Sequence, residues 1–365
     1  MTPRPALRHL PLALGLGAAA LVLVLAARLP DGAAPGVFIA ALALGVAFVR
    51  LDFGFAGGFR ALLERGDGRE VGANFVVPAV AALVILPVGS LVEGYGRFVA
   101  PIGPPLVLGA ALFGFGMQIA NGCASGVLVA AGQGSRRMWV ALPFFCAGGV
   151  LGSLVLPMGL ALPSLGEADL VFWFGPWGAL AAMQALLLTG AALVLRGRWP
   201  EVARLRAGAL IGALAVALFL ASGMPWGITT GLTLWGGKAA QALGVDFAGH
   251  AYWDMGWTSA ALEGSLLANH SSLADLGLLL GALIAAAAAG QLRFAMPLDW
   301  RGAAGAALGG VLMGIGARLS FGCNVGAFTG GAASGSLHGL VWIAAVVPGC
   351  WLGIRARPWF GLKRA

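Results

Sequence analysis

The sequence predicts an all-α polytopic membrane protein with about ten transmembrane helices and four short re-entrant segments, an hourglass-like arrangement of inverted repeats. Three observations carry that prediction. Hydrophobic residues make up 59% of the 365 positions and charged residues only 10%, with a mean hydropathy of +0.91, a balance that excludes the soluble class. Stretches 71–92, 98–135, 138–166, 170–195, 207–237 and 319–354 contain no Asp, Glu, Lys or Arg, and a helix crosses the hydrocarbon core in about 20 such residues. These runs are helix-sized and lack period-two alternation, which argues against a barrel. A net charge of +8 would suggest a nucleic-acid partner in a soluble chain. Here the basic residues mark cytoplasmic loops, and no nucleic acid is expected.

In chain order, Arg4 and Arg8 precede the apolar run Leu10–Ala27. The pattern is signal-like, but the run is a full span and longer than the usual apolar core of a leader, about 7–15 residues. Residues 1–30 are therefore expected to form an uncleaved helix. The remaining spans are predicted at 36–51, 73–92, 103–120, 138–160, 177–196, 205–223, 273–291, 303–320 and 338–354, with the first at 11–29. Four glycine-rich segments, 53–65, 122–134, 226–243 and 322–336, are apolar but short. If each enters the bilayer and returns on the same side, all of the 22 Lys and Arg except Arg28, Arg97, Lys238 and Arg318 fall on one face. That face is the cytoplasmic one by the positive-inside rule, and both termini lie on it. A full crossing by any one short segment would place the Arg196–Arg206 or Arg355–Arg364 cluster outside.

An offset of 200 residues aligns GAALFGFGMQIANGCASG at 109–126 with GGVLMGIGARLSFGCNVG at 309–326. Gly109, Leu112, Gly114, Gly116, Gly122, Cys123 and Gly126 recur as Gly309, Leu312, Gly314, Gly316, Gly322, Cys323 and Gly326. A weaker match pairs Phe53-Gly54 with Trp226-Gly227. Residues 36–160 and 205–354 then read as two repeats, each helix, re-entrant segment, helix, helix, re-entrant segment, helix. The single span 177–196 between them makes the second repeat inverted, and residues 355–365 form a basic cytoplasmic tail. Inverted repeats with short helices place a substrate near the midplane of many transporters.

Candidate site residues follow from that symmetry. Cys123 and Cys323 each follow a glycine, Gly122 or Gly322, at the entry of a short helix, where unpaired N–H groups and the positive dipole end favour anions and thiolates. A single cysteine in an apolar helix reads as packing; the repeat-related pair reads as function. Asn121 and Asn324 flank the two thiols, as substrate contacts or as structural amides bonded to loop backbone. Thr229 and Thr230, after Gly227, offer hydroxyls at the third short segment, or bond back to their own helix. Arg318 lies within an expected span, for anion attraction or for anchoring by snorkelling. Lys238 reads as a solvated helix-end charge, Cys146 and Cys350 as packing, and His250 and His270 as part of an interfacial aromatic belt. There is no CxxC pair, no Cys/His cluster and no GxxxxGK[ST] loop, so no metal, nucleotide or other cofactor is expected.

The stretches LDFGFAGGFRALLERGDGR at 51–69, GFGMQIANGCASG at 114–126, PWGITTGLTLWG at 225–236, DLGLLLGALIAAAAAG at 275–290 and GIGARLSFGCNVGAFTGG at 314–331 resemble the YeeE/YedE-type sulfur-transport membrane proteins, which include bacterial thiosulfate uptake proteins. The resemblance covers about residues 36–354. It implies a multi-pass protein of the bacterial cytoplasmic (inner) membrane, no enzyme activity, and import of thiosulfate or a related sulfur-containing anion past cysteines on re-entrant loops, with a cytoplasmic sulfur-carrier protein as a further partner. Cys123 and Cys323 match two of the family's cysteines. The third matches Gly54 here, so one thiol is missing from the pattern. The alternative is a membrane thiol redox or sulfur-carrier protein that uses the Cys123/Cys323 pair.

Overall fold

A computed structural model describes residues 9–294 and 297–363; Arg4, Arg8 and Arg364 lie outside the described residues. Among the described residues the chain is helical without strands, the only β-type pairings being the isolated bridges Pro101 to Glu167 and Asp169 to Ser336. The helices are α1 (Leu10–Ala26), α2 (Ala34–Arg50), α3 (Ala56–Arg65), α4 (Arg69–Asn74), α5 (Val76–Leu91), α6 (Pro104–Ala120), α7 (Ala124–Gly132) and α8 (Arg136–Leu160). They continue as α9 (Leu170–Leu195), α10 (Val202–Ser222), α11 (Ile228–Ala242), α12 (Gly256–Glu263), α13 (His270–Ala288) and α14 (Trp300–Leu319). A π-helical stretch, Asn324–Gly330, runs into Gly331–Ala333, and α15 (His338–Ala356) ends in a 3-10 turn, Arg357–Phe360. Among the described residues eight helical segments are long and apolar enough to cross a membrane, and α1 and α2 are shorter apolar helices.

Each expected span has its helix, and each short glycine-rich segment holds a short one. The expected start at 177 falls inside α9. Asp169 caps that helix by accepting from the Val171 N–H at 2.9 Å, and Gly175, at φ 67, then breaks it just before Pro176. Its regular part therefore begins where expected. α9 is peripheral: Phe172, Trp173, Phe174, Trp177, Leu188 and Leu193 are exposed, the surface a lipid-facing helix presents. The loop 244–272 contains a helix, α12, that no apolar run announced. Its Thr258 hydroxyl donates to the Tyr252 and Met255 carbonyls at 2.6 and 2.8 Å.

Glycine sets the central packing, because hydrocarbon supplies no hydrophobic drive between helices and close backbone approach must supply the contact. α6 and α14 cross with no room for a side chain. A Cβ at Gly109 would sit 2.8 Å from the Gly316 carbonyl oxygen, and one at Gly316 would sit 2.6 Å from that of Gly109. Gly116 and Gly309 face each other in the same way, at 2.7 Å in both directions. The contact is reciprocal between positions that the 200-residue offset makes equivalent. α6 also receives α15, with Gly114 against Val346 and Cys350, while α14 receives α8, with Gly314 against Phe145 and Gly149. Cys146 and Cys350 are both buried, as packing residues would be.

Arg97 and Lys238, two of the basic residues set apart by the loop count, have structural partners. Arg97 forks onto Asp169 at 2.7 and 2.8 Å and donates to the Ser334 carbonyl at 3.0 Å. Lys238 is no freely solvated charge, since its Nζ donates to the Leu262 and Gly264 carbonyls at 2.6 and 2.7 Å.

Candidate functional site

The two glycine–cysteine loops are built differently around the same thiol. α6 ends on Asn121, which adopts the left-handed conformation at φ 71. Its Oδ1 accepts from Arg60 Nη1 at 2.8 Å and Arg357 Nη1 at 3.1 Å. Arg357 also donates to the Gln118 carbonyl, and Arg137 to those of Ile119 and Ala120. Two guanidinium groups, those of Arg137 and Arg357, thus satisfy the otherwise unpaired carbonyls of a helix end, and Arg60 joins Arg357 on the Asn121 side chain, which is occupied with structure. Cys123 then caps α7, with Sγ accepting from the Gly126 N–H at 3.4 Å and lying 3.2 Å from Ser125 Oγ.

In the other half, α14 passes through Ser320 and Phe321 to Gly322 at φ 153, a backbone conformation open only to glycine. Trp342 Nε1 donates to Ser320 Oγ at 3.0 Å, which fixes the turn. Cys323 begins a π-helical stretch in which its carbonyl accepts from Ala327 N at 2.9 Å and Phe328 N at 3.3 Å. Single π turns recur at functional sites. This one leaves Asn324, fully buried, with neither Oδ1 nor Nδ2 hydrogen-bonded, and Thr329 Oγ1 likewise without a partner. Buried polar atoms without partners are rare in folded proteins, so their grouping beside a buried thiol marks a polar site.

Two cavities lie at opposite ends of α2. The larger, about 610 Å³, is lined by Trp226, Gly227, Thr229, Thr230, Phe321 and Gly326, with Asp31 and His270 at its edge. The smaller, about 290 Å³, is lined by Phe53, Gly54, Arg60, Glu70, Asn74 and Arg204, among others. Phe53 borders the smaller cavity and Trp226 the larger, and both pack edge-on against Phe48, at 5.9 and 6.2 Å between ring centroids. Phe55 adds a fourth ring against Phe53 at 5.5 Å. An aromatic barrier therefore spans the gap between the cavities.

The expected residues distribute over this frame. Gly227, Thr229 and Thr230 line the larger cavity, Gly54 lines the smaller, and the thiols of Cys123 and Cys323 are buried. A Cβ at Gly54 meets nothing within 4 Å, whereas one at Gly322 would strike the Ala327 N–H at 2.5 Å. Gly122 is less constrained, its nearest atom being Met138 Sδ at 3.3 Å. Arg318 is 7% exposed, which is incompatible with snorkelling. Its Nη1 donates to Tyr252 Oη and its Nη2 to Thr229 Oγ1, both at 2.9 Å, and its Nε has no partner. No carboxylate pairs with it among the described ion pairs. A buried guanidinium without a counter-ion, one side chain from a cavity wall, is an anion-attracting arrangement.

His270 is more than part of an aromatic belt. Its Nε2 lies 2.5 Å from Asp31 Oδ2 at the cavity edge. The Ala33 N–H, first, and then His270 hold the Asp31 carboxyl below the ordinary carboxylate range. Sequence reasoning also passed over Asp275 in α13. It is fully buried, and neither carboxyl oxygen has a hydrogen-bond partner. The signal was present, since Asp275 is an acidic residue inside the expected span 273–291, where such groups are expensive and functional.

Residues 50–352, most of the chain, match the sequence profile of a family described as sulphur transport. The chain belongs to the sulphur transport family. Within it, the chain is 29% identical to the thiosulfate transporter TsuA of Spirochaeta thermophila over 258 residues, covering 66% of this chain and 73% of that protein. It is 27% identical to the thiosulfate transporter TsuA of Escherichia coli over 348 residues, 85% of this chain and 88% of the relative. A shorter match, 34% identical over 144 residues, is to the probable transporter YedE of Escherichia coli. It spans 40% of this chain and 35% of YedE, about a third of that relative's length.

Proposed function

We propose that this protein imports thiosulfate, or a closely related sulfur-containing anion, across the bacterial inner membrane through a pathway that joins the two cavities past Cys323 and Cys123. The observation that carries the reading is the pair of buried thiols on repeat-equivalent loops, one of them beside unpartnered Asn324 and Thr329, in a chain of the sulphur transport family. The relatives named for thiosulfate align over most of their length. Residues 36–160 and 205–354 act as inverted repeats, a reading supported by the reciprocal approach of Gly109 to Gly316 and of Gly116 to Gly309. The four short segments are re-entrant, the larger cavity opens outward and the smaller inward, and both termini are cytoplasmic.

In this reading the dianion enters the larger cavity, where Thr229 and Thr230 replace part of its hydration and the Arg318 charge draws it inward. The buried amide of Asn324 and the Thr329 hydroxyl meet its oxygens, and the Cys323 S–H, a weak donor, meets its soft terminal sulfur. Cys123, at the positive end of α7, offers the second thiol. The Arg60 and Arg204 side of the smaller cavity receives the ion, and a cytoplasmic sulfur carrier takes it onward. Thiol contacts are weak, so the ion is held without being trapped, as conduction requires. Gly54 leaves the inward end without the family's third thiol.

Growth of a sulfur-auxotrophic bacterial host on thiosulfate as sole sulfur source tests the proposal. Wild type is expected to restore growth, and Cys123→Ala and Cys323→Ala to fail at equal membrane abundance. Undiminished growth with either alanine variant removes that thiol from the pathway, and no growth with wild type refutes the substrate.

A further inference from the structure

The carboxyl of Asp275 sits where a membrane protein has least reason to keep an acid. Among the described residues it is the only fully buried carboxyl group, and neither oxygen accepts a hydrogen bond. Its side chain projects onto Gly231 of α11, a position with no Cβ, and Oδ2 occupies the space a side chain there would need. Gly231 follows Thr229 and Thr230, and Ala274 precedes Asp275; all three of these neighbours line the larger cavity. The carboxyl is thus one residue behind the cavity wall, and it lies within electrostatic reach of the Cys323 and Cys146 thiols.

Among the described residues no cation answers it. α13 packs against α1, α2, α7 and α11. α1 carries no ionisable side chain, and α2 carries only Arg50, at its far end. α7 carries none beyond Cys123 at its cap. Lys238 of α11 is turned to the Leu262 and Gly264 carbonyls, and His270, on α13 itself, is paired with Asp31. Arg318 reaches α11 at Thr229, not at Asp275. A bare carboxylate in such a place bears the full cost of desolvation, whereas a neutral carboxyl does not.

We propose that Asp275 is a proton-binding site that couples proton entry to inward movement of the anion; the proposal rests on the reading of the chain as an anion importer. With Asp275 neutral, an anion beside Cys323 meets no opposing charge. With Asp275 ionised, it meets a repulsion that lowers its affinity by about thirtyfold per unit of anion charge at separations of roughly 8 Å and an effective dielectric constant near 20. By linkage the bound anion raises the proton affinity of Asp275 by the same factor. A proton taken from water on the outer side forms the carboxyl O–H, travels with the loaded state, and leaves to water on the inner side when that bond breaks. No electrons are exchanged, and the proton gradient supplies the drive.

The test uses the full-length protein in proteoliposomes that hold a pH-sensitive dye, with labelled thiosulfate as probe, together with infrared spectra of the same preparation. For wild type, an acid-outside gradient is expected to raise initial uptake by about fivefold or more. Added thiosulfate should acidify the lumen, and the spectrum should show the carbonyl stretch of a protonated, buried carboxylic acid. Asp275→Asn should lose that band, the response to the gradient and the acidification, while it retains thiosulfate exchange down its own gradient. If the variant does not fold, the wild-type acidification and band still decide the matter. Wild-type uptake that ignores the gradient and moves no proton overturns the coupling and leaves the anion reading standing. Absence of thiosulfate uptake under every condition overturns the anion reading itself, and the coupling with it.

Discussion

Replacing Arg318 by Met separates a transport role from a structural one, because the two roles predict opposite results. Arg318 is 7% exposed, has two hydrogen bonds, to Tyr252 and Thr229, and leaves Nε without a partner. Holding a guanidinium inside a membrane costs about 2.5–3.5 kcal/mol on insertion scales. The two bonds return about 1.5–3 kcal/mol each. These terms nearly cancel, and Met keeps much of the side-chain volume without the charge. The stability of Arg318→Met in detergent should therefore stay within about 2 kcal/mol of wild type. Transport should respond differently. At roughly 8 Å and an effective dielectric constant near 20, one unit charge contributes about 2 kcal/mol per unit of anion charge, about thirtyfold in affinity. The KM for labelled thiosulfate uptake in vesicles should rise at least tenfold, with Arg318→Lys recovering part of the loss, since it restores a charge but not the fork. An unchanged KM in a folded Arg318→Met protein would refute the electrostatic role; a collapsed melting temperature would show that the guanidinium is chiefly a structural tie.

Other outcomes follow from the same geometry. Gly309→Val places atoms against the Gly116 carbonyl and Ala120, where even a Cβ would come within 2.7–2.8 Å. It should cost about 1–3 kcal/mol or more, read as a fall in the melting temperature in detergent. Gly54→Cys meets open space and lines the smaller cavity, so the variant should fold with wild-type stability. The introduced thiol should react with a membrane-impermeant maleimide in inside-out vesicles and not in right-side-out ones; the reverse pattern would overturn the assigned orientation. The Asp31 carboxyl is held below its ordinary value of 3.8 by the Ala33 N–H and His270, so its contribution to stability is full above about pH 4 and is lost as pH falls through its lowered pKa. The difference in melting temperature between wild type and Asp31→Asn should accordingly shrink below pH 4. A constant difference across that range would remove Asp31 from the edge of the cavity as an ionised partner.

The helix inventory was legible because its cause is local. A bilayer tolerates few charges along a span, so gaps between charged residues in the sequence mark α5, α8 and α9 with little help from tertiary structure. The repeated Gly–Cys loops were legible for a related reason, since Gly322 at φ 153 and the Gly109, Gly116, Gly309 and Gly316 crossings admit no other residue and leave a sequence trace. What stayed hidden depends on which side chains meet across the bundle. The aromatic barrier joins Phe48, Phe53, Phe55 and Trp226 from three separate segments. Asn121 reads like Asn324 in sequence, yet two arginines occupy Asn121 while Asn324 has no partner. The π register after Cys323, against an ordinary helix after Cys123, has no counterpart in residue spacing. Asp275 was visible as an intramembrane acid, and only its lack of any partner in space turns it into a candidate site.

The claim on which the account turns is that the Cys323 thiol meets the anion in passage. The most direct measurement is the rate at which a small, membrane-permeant thiol reagent modifies each cysteine of the wild-type protein, followed by mass spectrometry with and without saturating thiosulfate. Cys146 and Cys350 serve as internal controls, since both are buried and line neither cavity. The account predicts that thiosulfate slows modification of Cys323, and of Cys123, severalfold, that sulfate at the same concentration does so less, and that the two controls are unaffected. Equal rates at Cys323 with and without thiosulfate, in protein that transports it, would contradict the account.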